Sequence, residues 1–252
     1  MHITRLFIDG NLEVGQEIIL AENSAHHVLH VLRKKADDEL ILFNGKGGEY
    51  SAKISDINRN NVTVNIHEYT DVNRESPLQI SLGLSILKRD AMNTALQKAT
   101  ELGVSKIVPV ETTNTTVSRA DLQKRESQWQ KVIVTACEQS GRTQVPALES
   151  VHSFNDYLCI DLCTDLCTNQ YTDSENLKLI ASTTAKMCIS EIEHPAKSIS
   201  LIIGPEGGFT DAEITLAVEK GFQPVSIGKR ILRAETAPAV LLTLLQYRWG
   251  DF

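Results

Sequence analysis

The most constraining feature of the chain is a pair of glycine-bearing turns near its C-terminus, each placed directly after an apolar run. Residues 199–203 predict a buried strand that ends at Gly204-Pro205-Glu206-Gly207-Gly208, where the missing side chains let a ligand approach the backbone closely. Thr210 and Glu213 then form a capping box, the pattern that opens a helix. The sequence therefore predicts a strand, a ligand-accessible turn and a helix in succession.

The second turn follows the short strand predicted at residues 224–227. It runs from Gly228 to Ala237, and Pro238 then sets the first turn of another helix. Two such units this close in sequence can form the walls of one pocket. Taken alone, the pentapeptide GPEGG is a weak signal, because a tight structural turn explains it equally well.

The C-terminal two thirds of the chain alternates between strand and helix patterns. Strands are predicted at residues 78–87, 106–110 and 177–181, and helices at residues 90–102 and 121–140. This alternation favours an α/β domain with a mostly parallel sheet and helices on both faces. The last helix, from Thr236 to Tyr247, is apolar nearly all round and must be covered on every side.

The N-terminal part reads as short strands separated by turns, with one helix from His26 to Arg33 capped by Asn23 or Ser24. This pattern predicts a small β-barrel with an inserted helix. The polar residues 71–77, which end in a proline, predict a linker. The domain boundaries are therefore expected at 1–70 and 78–252.

A net charge of −7 argues against a protein that holds nucleic acid by overall electrostatic attraction. Local basic clusters can still face phosphates, although such clusters also occur on ordinary solvated surfaces. The clusters considered are Arg33-Lys34-Lys35, Lys124-Arg125, and Lys229-Arg230 with Arg233. No apolar run approaches the roughly 20 residues that cross a bilayer, and the N-terminus lacks the apolar stretch of a signal peptide, so a cytoplasmic location without membrane contact is expected.

The five cysteines are expected to be reduced thiols, because the count is odd and no export signal is seen. Cys159, Cys163 and Cys167 recur every four residues, which places them along one face of a predicted surface helix. Their spacing lacks the two-residue gap usual in zinc sites, and a buried apolar face explains it as well, so no metal is expected. The histidines at 26, 27 and 30 are assigned to a helix that covers the barrel, not to a metal.

The segment GPEGGFT followed by IGKRILRAETA resembles the SPOUT superfamily of S-adenosylmethionine-dependent RNA methyltransferases. Within it, the chain is most similar to the RsmE-type family, which methylates N3 of a uridine in 16S ribosomal RNA. Three further parts match that family's pattern: HHVLHVLRKK with LFNGKGGEY, QKATELGVSKIVPV at 97–110, and ACEQSGRTQVP at 136–146. Asn93 departs from the pattern, which has an aromatic or charged residue there.

The resemblance implies a SPOUT-type α/β domain with a C-terminal trefoil knot, preceded by a PUA-like RNA-binding domain. It also implies S-adenosylmethionine as cofactor, 16S rRNA in the small ribosomal subunit as substrate, and a homodimer formed through the SPOUT domain. The knot and the dimer come from the resemblance alone, because nothing in composition or periodicity predicts them.

The resemblance also assigns site residues. The RNA contacts would come from Arg33, Lys34, Lys35, Lys229 and Arg230, and Glu206 would accept a hydrogen bond from a cofactor hydroxyl or amine. The residues expected to bind the cofactor are Gly204, Pro205, Glu206, Gly207, Gly208, Ile227, Gly228, Leu232, Glu235, Thr236 and Ala237.

Methylation at uracil N3 requires removal of a proton or stabilisation of the anion. Glu138 and Arg142 lie four apart at the end of a predicted helix, so a carboxylate could take the proton and a guanidinium could stabilise the anion. An ordinary intrahelical ion pair fits the same spacing. Arg233 is a third catalytic candidate, which orients substrate or braces the cofactor loop.

Three alternatives to this function are considered. One is a SPOUT methyltransferase with another RNA target or atom, and another is a non-catalytic RNA-binding factor in ribosome assembly. The last is a dinucleotide-binding oxidoreductase, against which no G-x-G-x-x-G follows the first strand of the α/β part.

Overall fold

The computed structural model describes residues 3–58, 61–117, 119–159, 176–193 and 197–252, without the side chains of 119–121, 123 and 124. The chain forms two compact units. The first comprises Met1–Glu75 together with Cys137–Val145, and the second comprises Ser76–Ala136 with Pro146–Phe252. The first unit therefore includes a short segment from the middle of the chain, which the linear division at residues 71–77 did not anticipate.

Strands dominate the first unit. In the described part of the chain they are β1 (Thr4–Phe7), β2 (Glu17–Ile19), β3 (Glu39–Phe43), β4 (Glu49–Asn58) and β5 (Asn61–Thr70). They form one sheet in the order β1-β3-β4-β5-β2, in which only the β1 and β3 pairing is parallel. These strands confirm the predicted N-terminal pattern of short strands separated by turns.

Alternation along these strands creates the core of the first unit. In β5 every second residue from Val62 to Ile66 is buried, and Ala52 and Ile54 of β4 face the same cluster. Ala25 and Val28 pack into it from the only helical segment between β2 and β3. A half-buried sheet covered by one helix is what the alternating apolar pattern predicts.

That helical segment begins earlier than predicted. α1 spans Glu22–His26 after Ala21, and the chain continues as a π-helical turn over His27–Val31. The predicted caps Asn23 and Ser24 lie inside the helix, so that prediction was wrong. The helix instead begins at an acidic residue, which interacts favourably with the helix dipole.

The second unit contains a parallel sheet. Its first strands are β6 (Gln79–Ser85), β7 (Lys106–Glu111), β8 (Ala147–Leu148) and β9 (His152–Ser153), and the later ones are β10 (Asn176–Ala181), β11 (Ser198–Ile203) and β12 (Gln223–Val225). The order among described residues is β12-β10-β11-β6-β7-β8, with β9 also paired to β7. Every pairing is parallel, which confirms the predicted fold class.

Burial explains why the central strands read as continuous apolar runs. All six residues of β11 are buried, as expected for a parallel strand covered on both faces. The helices of this unit are α2 (Arg89–Glu101), α3 (Arg119–Ser140), α4 (Phe154–Cys159), α5 (Asp211–Glu219) and α6 (Thr236–Trp249). The last residues of α3, from Cys137 onward, belong to the first unit.

Helix α6 packs against α2 but is not covered on every side within one chain. Leu241, Leu242 and Leu245 are buried, whereas Leu244 is 38% exposed and Tyr247 is 76% exposed. Gln246 is fully buried and joins the helix to its neighbours, because its amide accepts from Ser76 Oγ and donates to the carbonyl of Leu102.

Cys163, Cys167 and most of the predicted helix and loop at 159–176 lie outside the described residues. Among those described, Cys137, Cys159 and Cys188 are free thiols. The described residues contain no group of three or more histidine, cysteine, aspartate or glutamate side chains placed to hold a metal ion. None of the described helices combines the length and the hydropathy needed to cross a membrane.

Candidate functional site

A cavity of about 820 Å³ lies in the second unit, where β10, β11 and β12 end. Ligands bind at this edge of open parallel sheets, and the volume is within the range of small-molecule sites. Its walls are the chain segments that leave these three strands: residues 181–184, 203–209 and 225–235. Lys88 and Ala91, at the start of α2, close another side.

The first predicted turn forms one wall of this cavity, with every residue from Gly204 to Gly208 on the lining. The Gly208 N–H donates to the carbonyl of Pro205 at 2.9 Å, which closes the turn. The capping box that follows it is confirmed, with Thr210 Oγ1 accepting from the Glu213 N–H and the Glu213 carboxylate accepting from the Thr210 N–H.

One glycine of that turn has a backbone conformation that favours glycine. Gly208 has φ of +68°, a region that side chains with a Cβ rarely adopt. Gly207, by contrast, does not have a positive φ. A Cβ at Gly207 would lie 3.0 Å from the Cβ of Asn114, a tight contact that could be relieved only if Asn114 moved by a few tenths of an ångström.

Glu206 is also on the cavity wall. Its Oε1 accepts a hydrogen bond from the main-chain N–H of Lys88 at 3.1 Å. This contact fixes the carboxylate against the start of α2. A carboxylate held in this way can accept hydrogen bonds from a ligand at its remaining lone pairs.

The second predicted turn forms another wall of the cavity. Ile227, Gly228, Leu232 and Glu235 line the cavity together with Ala237, whereas Thr236 is absent from the lining and begins α6. Gly228 has φ of +122°, with open space where a Cβ would point. The two turns that the sequence singled out therefore face one cavity.

The second turn carries three exposed basic side chains. Lys229, Arg230 and Arg233 are exposed and belong to the cavity lining. The Arg233 side chain is 85% exposed and lies 3.9 Å from Glu235, a loose surface ion pair. This arrangement leaves the guanidinium of Arg233 accessible to a bound molecule.

The other two catalytic candidates belong to the first unit. Helix α3 ends at Ser140, so Arg142 lies outside it and the interpretation as an intrahelical ion pair was wrong. The Arg142 guanidinium is held by the carboxylate of Glu75, and Glu138 Oε1 accepts from the Phe7 N–H at 3.0 Å. Burial raises the pKa of Glu138 above its ordinary value, and the Phe7 hydrogen bond opposes this rise.

The basic triplet lies just after the π-helical turn of the first unit. Arg33 and Lys35 are exposed and Lys34 is half-buried. Arg33 has φ of +53°, which is unusual for a residue with a Cβ, and the Lys35 N–H donates to Asp38 Oδ2 at 2.8 Å. The exposed rings of His26 and His30, a few residues earlier in the chain, lie tilted against each other at 45°, with centroids 4.7 Å apart.

Two parts of the site had not been predicted. The hydroxyl-rich residues 182–184 form a cavity wall after β10, where Ser182 Oγ and Thr184 Oγ1 are 3.0 Å apart. Asn114, in the loop after β7, contacts the first turn. A strand end followed by three hydroxyl residues was a usable signal for the first of these, but no sequence signal identified Asn114.

Two family models match the chain. Residues 12–66 match an RNA methyltransferase PUA domain, and residues 74–246 match an RNA methyltransferase domain. The first match confirms the PUA-like expectation for the N-terminal part. Together the two models cover most of the chain.

Named relatives match over almost their full length. The ribosomal RNA small subunit methyltransferase E of Buchnera aphidicola (subsp. Acyrthosiphon pisum) is 33% identical over 252 residues, with 99% of this chain and 95% of the relative covered. The Rickettsia conorii protein of the same name is 34% identical over 239 residues, with 94% and 92% covered.

Solved structures agree with these relatives. The ribosomal RNA small subunit methyltransferase E of Neisseria gonorrhoeae, bound to S-adenosyl methionine, has a TM-score of 0.88 at 38% identity, with 100% of both chains covered. A putative methyltransferase of Legionella pneumophila, in complex with SAM, has a TM-score of 0.90 at 35% identity with the same coverage. Given these matches and the two turns on one cavity, the chain belongs to the RsmE-type family of ribosomal RNA methyltransferases.

Proposed function

We propose that this protein transfers a methyl group from S-adenosylmethionine to N3 of a uridine in the 16S rRNA of the small ribosomal subunit. One observation carries the proposal: the turns at Gly204–Gly208 and Gly228–Glu235 enclose one cavity at the carboxyl ends of three parallel strands. The named relatives, which are small-subunit rRNA methyltransferases, support the same activity.

The cavity has the chemistry that this cofactor requires. Backbone groups of Gly208 and Gly228 are accessible, because open space surrounds the positions where a Cβ would stand. Gly204 and Gly207 also line the cavity. Apolar side chains on the wall suit the adenine ring, and Glu206 offers an acceptor for a ribose hydroxyl or the amino group. The apolar lining residues are Ile203, Phe209, Ile214, Val225, Ile227 and Leu232. Thr236, which does not line the cavity, stays a weaker member of the proposed set.

S-adenosylmethionine supplies an electrophilic methyl group when bound, so the protein has to hold the two reactants and manage one proton. In our proposal Glu138 accepts the proton of uracil N3. Its raised pKa, which burial causes, brings the carboxylate closer to the neutral range where a general base works best. Arg142 and Arg233 are proposed to stabilise negative charge on the pyrimidine oxygens.

A structural role competes with this assignment for Arg142. Its guanidinium is already engaged by Glu75, and the side chains of both residues are largely buried. Arg233 is not held in this way, because its ion pair with Glu235 spans 3.9 Å and its side chain is 85% exposed. Of the two arginines, Arg233 is therefore better suited to reach a substrate.

We assign RNA docking to the N-terminal domain, residues 1–70, and the methyl transfer to residues 78–252, with 71–77 as the linker. Arg33, Lys34 and Lys35 would contact phosphates from the first, and Lys229 and Arg230 from the second. All of these except the half-buried Lys34 are exposed. Local placement of this kind reconciles RNA binding with a net charge of −7.

The proposal includes a C-terminal trefoil knot, a homodimer and a cytoplasmic location. The exposed Leu244 and Tyr247 on α6 support the dimer, because an otherwise apolar helix leaves this face uncovered in one chain. A second subunit packed on α6 would cover it. Sedimentation of the purified protein at several concentrations tests this part directly.

Isothermal titration calorimetry with S-adenosylmethionine tests the cofactor assignment. We expect saturable binding with one site per chain, and no binding of NAD under the same conditions. Binding of NAD in place of S-adenosylmethionine would support the oxidoreductase alternative. A protein that binds both cofactor and small subunits without turnover would instead be an assembly factor.

A further inference from the structure

Asn114 makes the contacts that fix the first turn of the cavity from outside. Its side-chain Nδ2 donates to the carbonyl of Gly207 at 3.2 Å and to the carbonyl of Gly208 at 3.0 Å. A single amide nitrogen carries two hydrogens, so it can satisfy two successive carbonyls at once. Both peptide groups belong to residues that line the cavity.

The loop that presents Asn114 is itself fixed by hydrogen bonds. The Thr112 N–H donates to Thr115 Oγ1 at 3.0 Å, and the Thr115 N–H donates back to the Thr112 carbonyl at 3.0 Å. The intervening Thr113 N–H donates to Glu213 Oε1 at 2.8 Å. The side chain of Asn114 therefore extends from a closed turn and not from a free loop.

Glu213 links this loop to the helix that follows the cavity turn. Its Oε1 accepts from Thr113, while its Oε2 accepts from the N–H and the hydroxyl of Thr210. Burial acts to raise the pKa of Glu213, but the hydrogen bonds from Thr113 and Thr210 outweigh it, so the pKa lies below the ordinary value. The carboxylate stays ionised at neutral pH and holds the loop after β7 against Thr210, the N-cap residue of α5.

Steric contact adds to the hydrogen bonds. The position of a Cβ at Gly207 would be 3.0 Å from the Asn114 Cβ, which is closer than ordinary van der Waals contact. The Asn114 side chain therefore packs directly against the backbone of the turn at Gly207. A change in the Asn114 side chain would release the orientation of two peptide groups without removing any atom from the cavity itself.

We infer that Asn114 is a positioning residue for the cofactor: it sets the orientation of the Gly207 and Gly208 peptide groups that bind S-adenosylmethionine. This inference rests on the proposed function, since it takes the cavity to be the cofactor site. It assigns a role in binding to a loop after β7 that contributes nothing to the cavity lining.

Two substitutions at this position test the inference. Asn114→Ala removes the donor, and Asn114→Asp replaces it with acceptors that face two carbonyl oxygens. We expect the dissociation constant for S-adenosylmethionine to rise about tenfold in Asn114→Ala, as for the loss of one or two modest hydrogen bonds, and further in Asn114→Asp. The KM for S-adenosylmethionine should rise in parallel, while the KM for the RNA substrate and the turnover number at saturating cofactor stay within twofold.

Asn176→Ala is the matched control. Asn176 is also an asparagine of the second unit whose amide makes side-chain hydrogen bonds, here with Ser198 and Ser200, but it lies at the opposite end of β10 from the cavity. We expect its melting temperature to fall at least as much as that of Asn114→Ala, with unchanged cofactor affinity. Melting temperatures of all variants, measured without cofactor, show that each one folds.

The outcomes separate the inference from the proposed function. Unchanged cofactor affinity in both Asn114 variants would overturn the inference alone. An equal loss of affinity in Asn176→Ala would overturn it too, because the effect would then be general destabilisation. A wild-type protein that binds no S-adenosylmethionine would contradict the proposed function, and the inference with it.

Discussion

Glu75 accepts two hydrogen bonds from the guanidinium of Arg142, through Nε at 2.8 Å and through Nη2. The other oxygen of the same carboxylate accepts from the N–H groups of Thr143 and Gln144, at 3.2 and 3.1 Å. Arg5 completes the arrangement by donating to the Arg142 carbonyl at 3.1 Å. One carboxylate from the predicted linker thus anchors residues 142–144 within the first unit.

Replacing Glu75 by glutamine should destabilise the protein strongly. The side chains of Glu75 and Arg142 are only 11% and 7% exposed, so the change removes the negative charge from a largely buried ion pair. We expect a loss of about 3 kcal/mol in the free energy of unfolding, measured by urea denaturation.

The control for this change is Glu39→Gln. Glu39 also pairs with a cation, Lys53, but at 3.8 Å and with both side chains more than half exposed. Its loss should cost less than about 1 kcal/mol. Equal losses in the two variants would show that the Glu75 carboxylate does not anchor the segment.

Replacing Gly207 by valine should abolish cofactor binding. The added Cβ would meet Asn114, and the branched side chain would enter a turn that lines the cavity. We expect an increase in the dissociation constant for S-adenosylmethionine of at least about a hundredfold by calorimetry.

Gly221→Val is the matched control, since Gly221 has φ of +86° with open space around it and lies outside the cavity lining. The Gly221→Val variant should have a lower melting temperature but bind S-adenosylmethionine with wild-type affinity. Wild-type affinity in a folded Gly207→Val variant would refute the assignment of the turn to the cofactor site.

Replacing Glu138 by glutamine tests the proposed base. If Glu138 takes the proton of uracil N3, the single-turnover rate at neutral pH should fall about a hundredfold and partly recover as pH rises and the uracil ionises unaided. Arg142→Lys should then lower turnover more than it weakens binding of cofactor or RNA. A Glu138→Gln rate that does not depend on pH would remove Glu138 from the mechanism.

Stability provides the control for that experiment. Because burial raises the pKa of Glu138 in the folded protein, folding takes up a proton between the ordinary carboxyl pKa and the raised one. This residue's contribution to the free energy of unfolding is therefore full below that range and falls as pH rises through it. Glu138→Gln should lack this fall, and urea denaturation at several pH values measures it independently of catalysis.

Reversing the charges at Arg33, Lys34 and Lys35 should weaken RNA binding and flatten its salt dependence. Each lost phosphate contact should lower the slope of log affinity against log salt by roughly 0.7 to 0.9. Calorimetry with S-adenosylmethionine should show no change. Lys53→Glu, at another exposed position of the first unit, serves as the control, and an equal effect there would mean that overall charge and not this triplet contacts RNA.

Much of the fold could be read from local patterns. The apolar run at 199–203, the capping box of Thr210 and Glu213, and the alternation in β5 all depend on residues close in sequence, and each is confirmed. Both cavity turns could be predicted in the same way, because each comes shortly after a strand in the sequence.

Long-range pairing could not be read in this way. The hydrogen bonds of Glu75 with residues 142–144, and of Asn114 with Gly207 and Gly208, connect positions far apart in sequence. No spacing rule predicts them, since they depend on how the strands are ordered in three dimensions. The intrahelical ion pair of Glu138 and Arg142 was wrong for a local reason, because α3 ends at Ser140 and Gly141 follows it with φ of +83°.

Mass spectrometry of nucleosides tests the proposed methylation most directly. Small ribosomal subunits from cells that lack the gene would be incubated with the purified protein and S-adenosylmethionine, and their 16S rRNA then digested. We expect one new methylated nucleoside, uridine carrying the methyl group on N3, which the Gly207→Val variant does not form. A methyl group on ribose or on another base, or no methylated nucleoside at all, would contradict it.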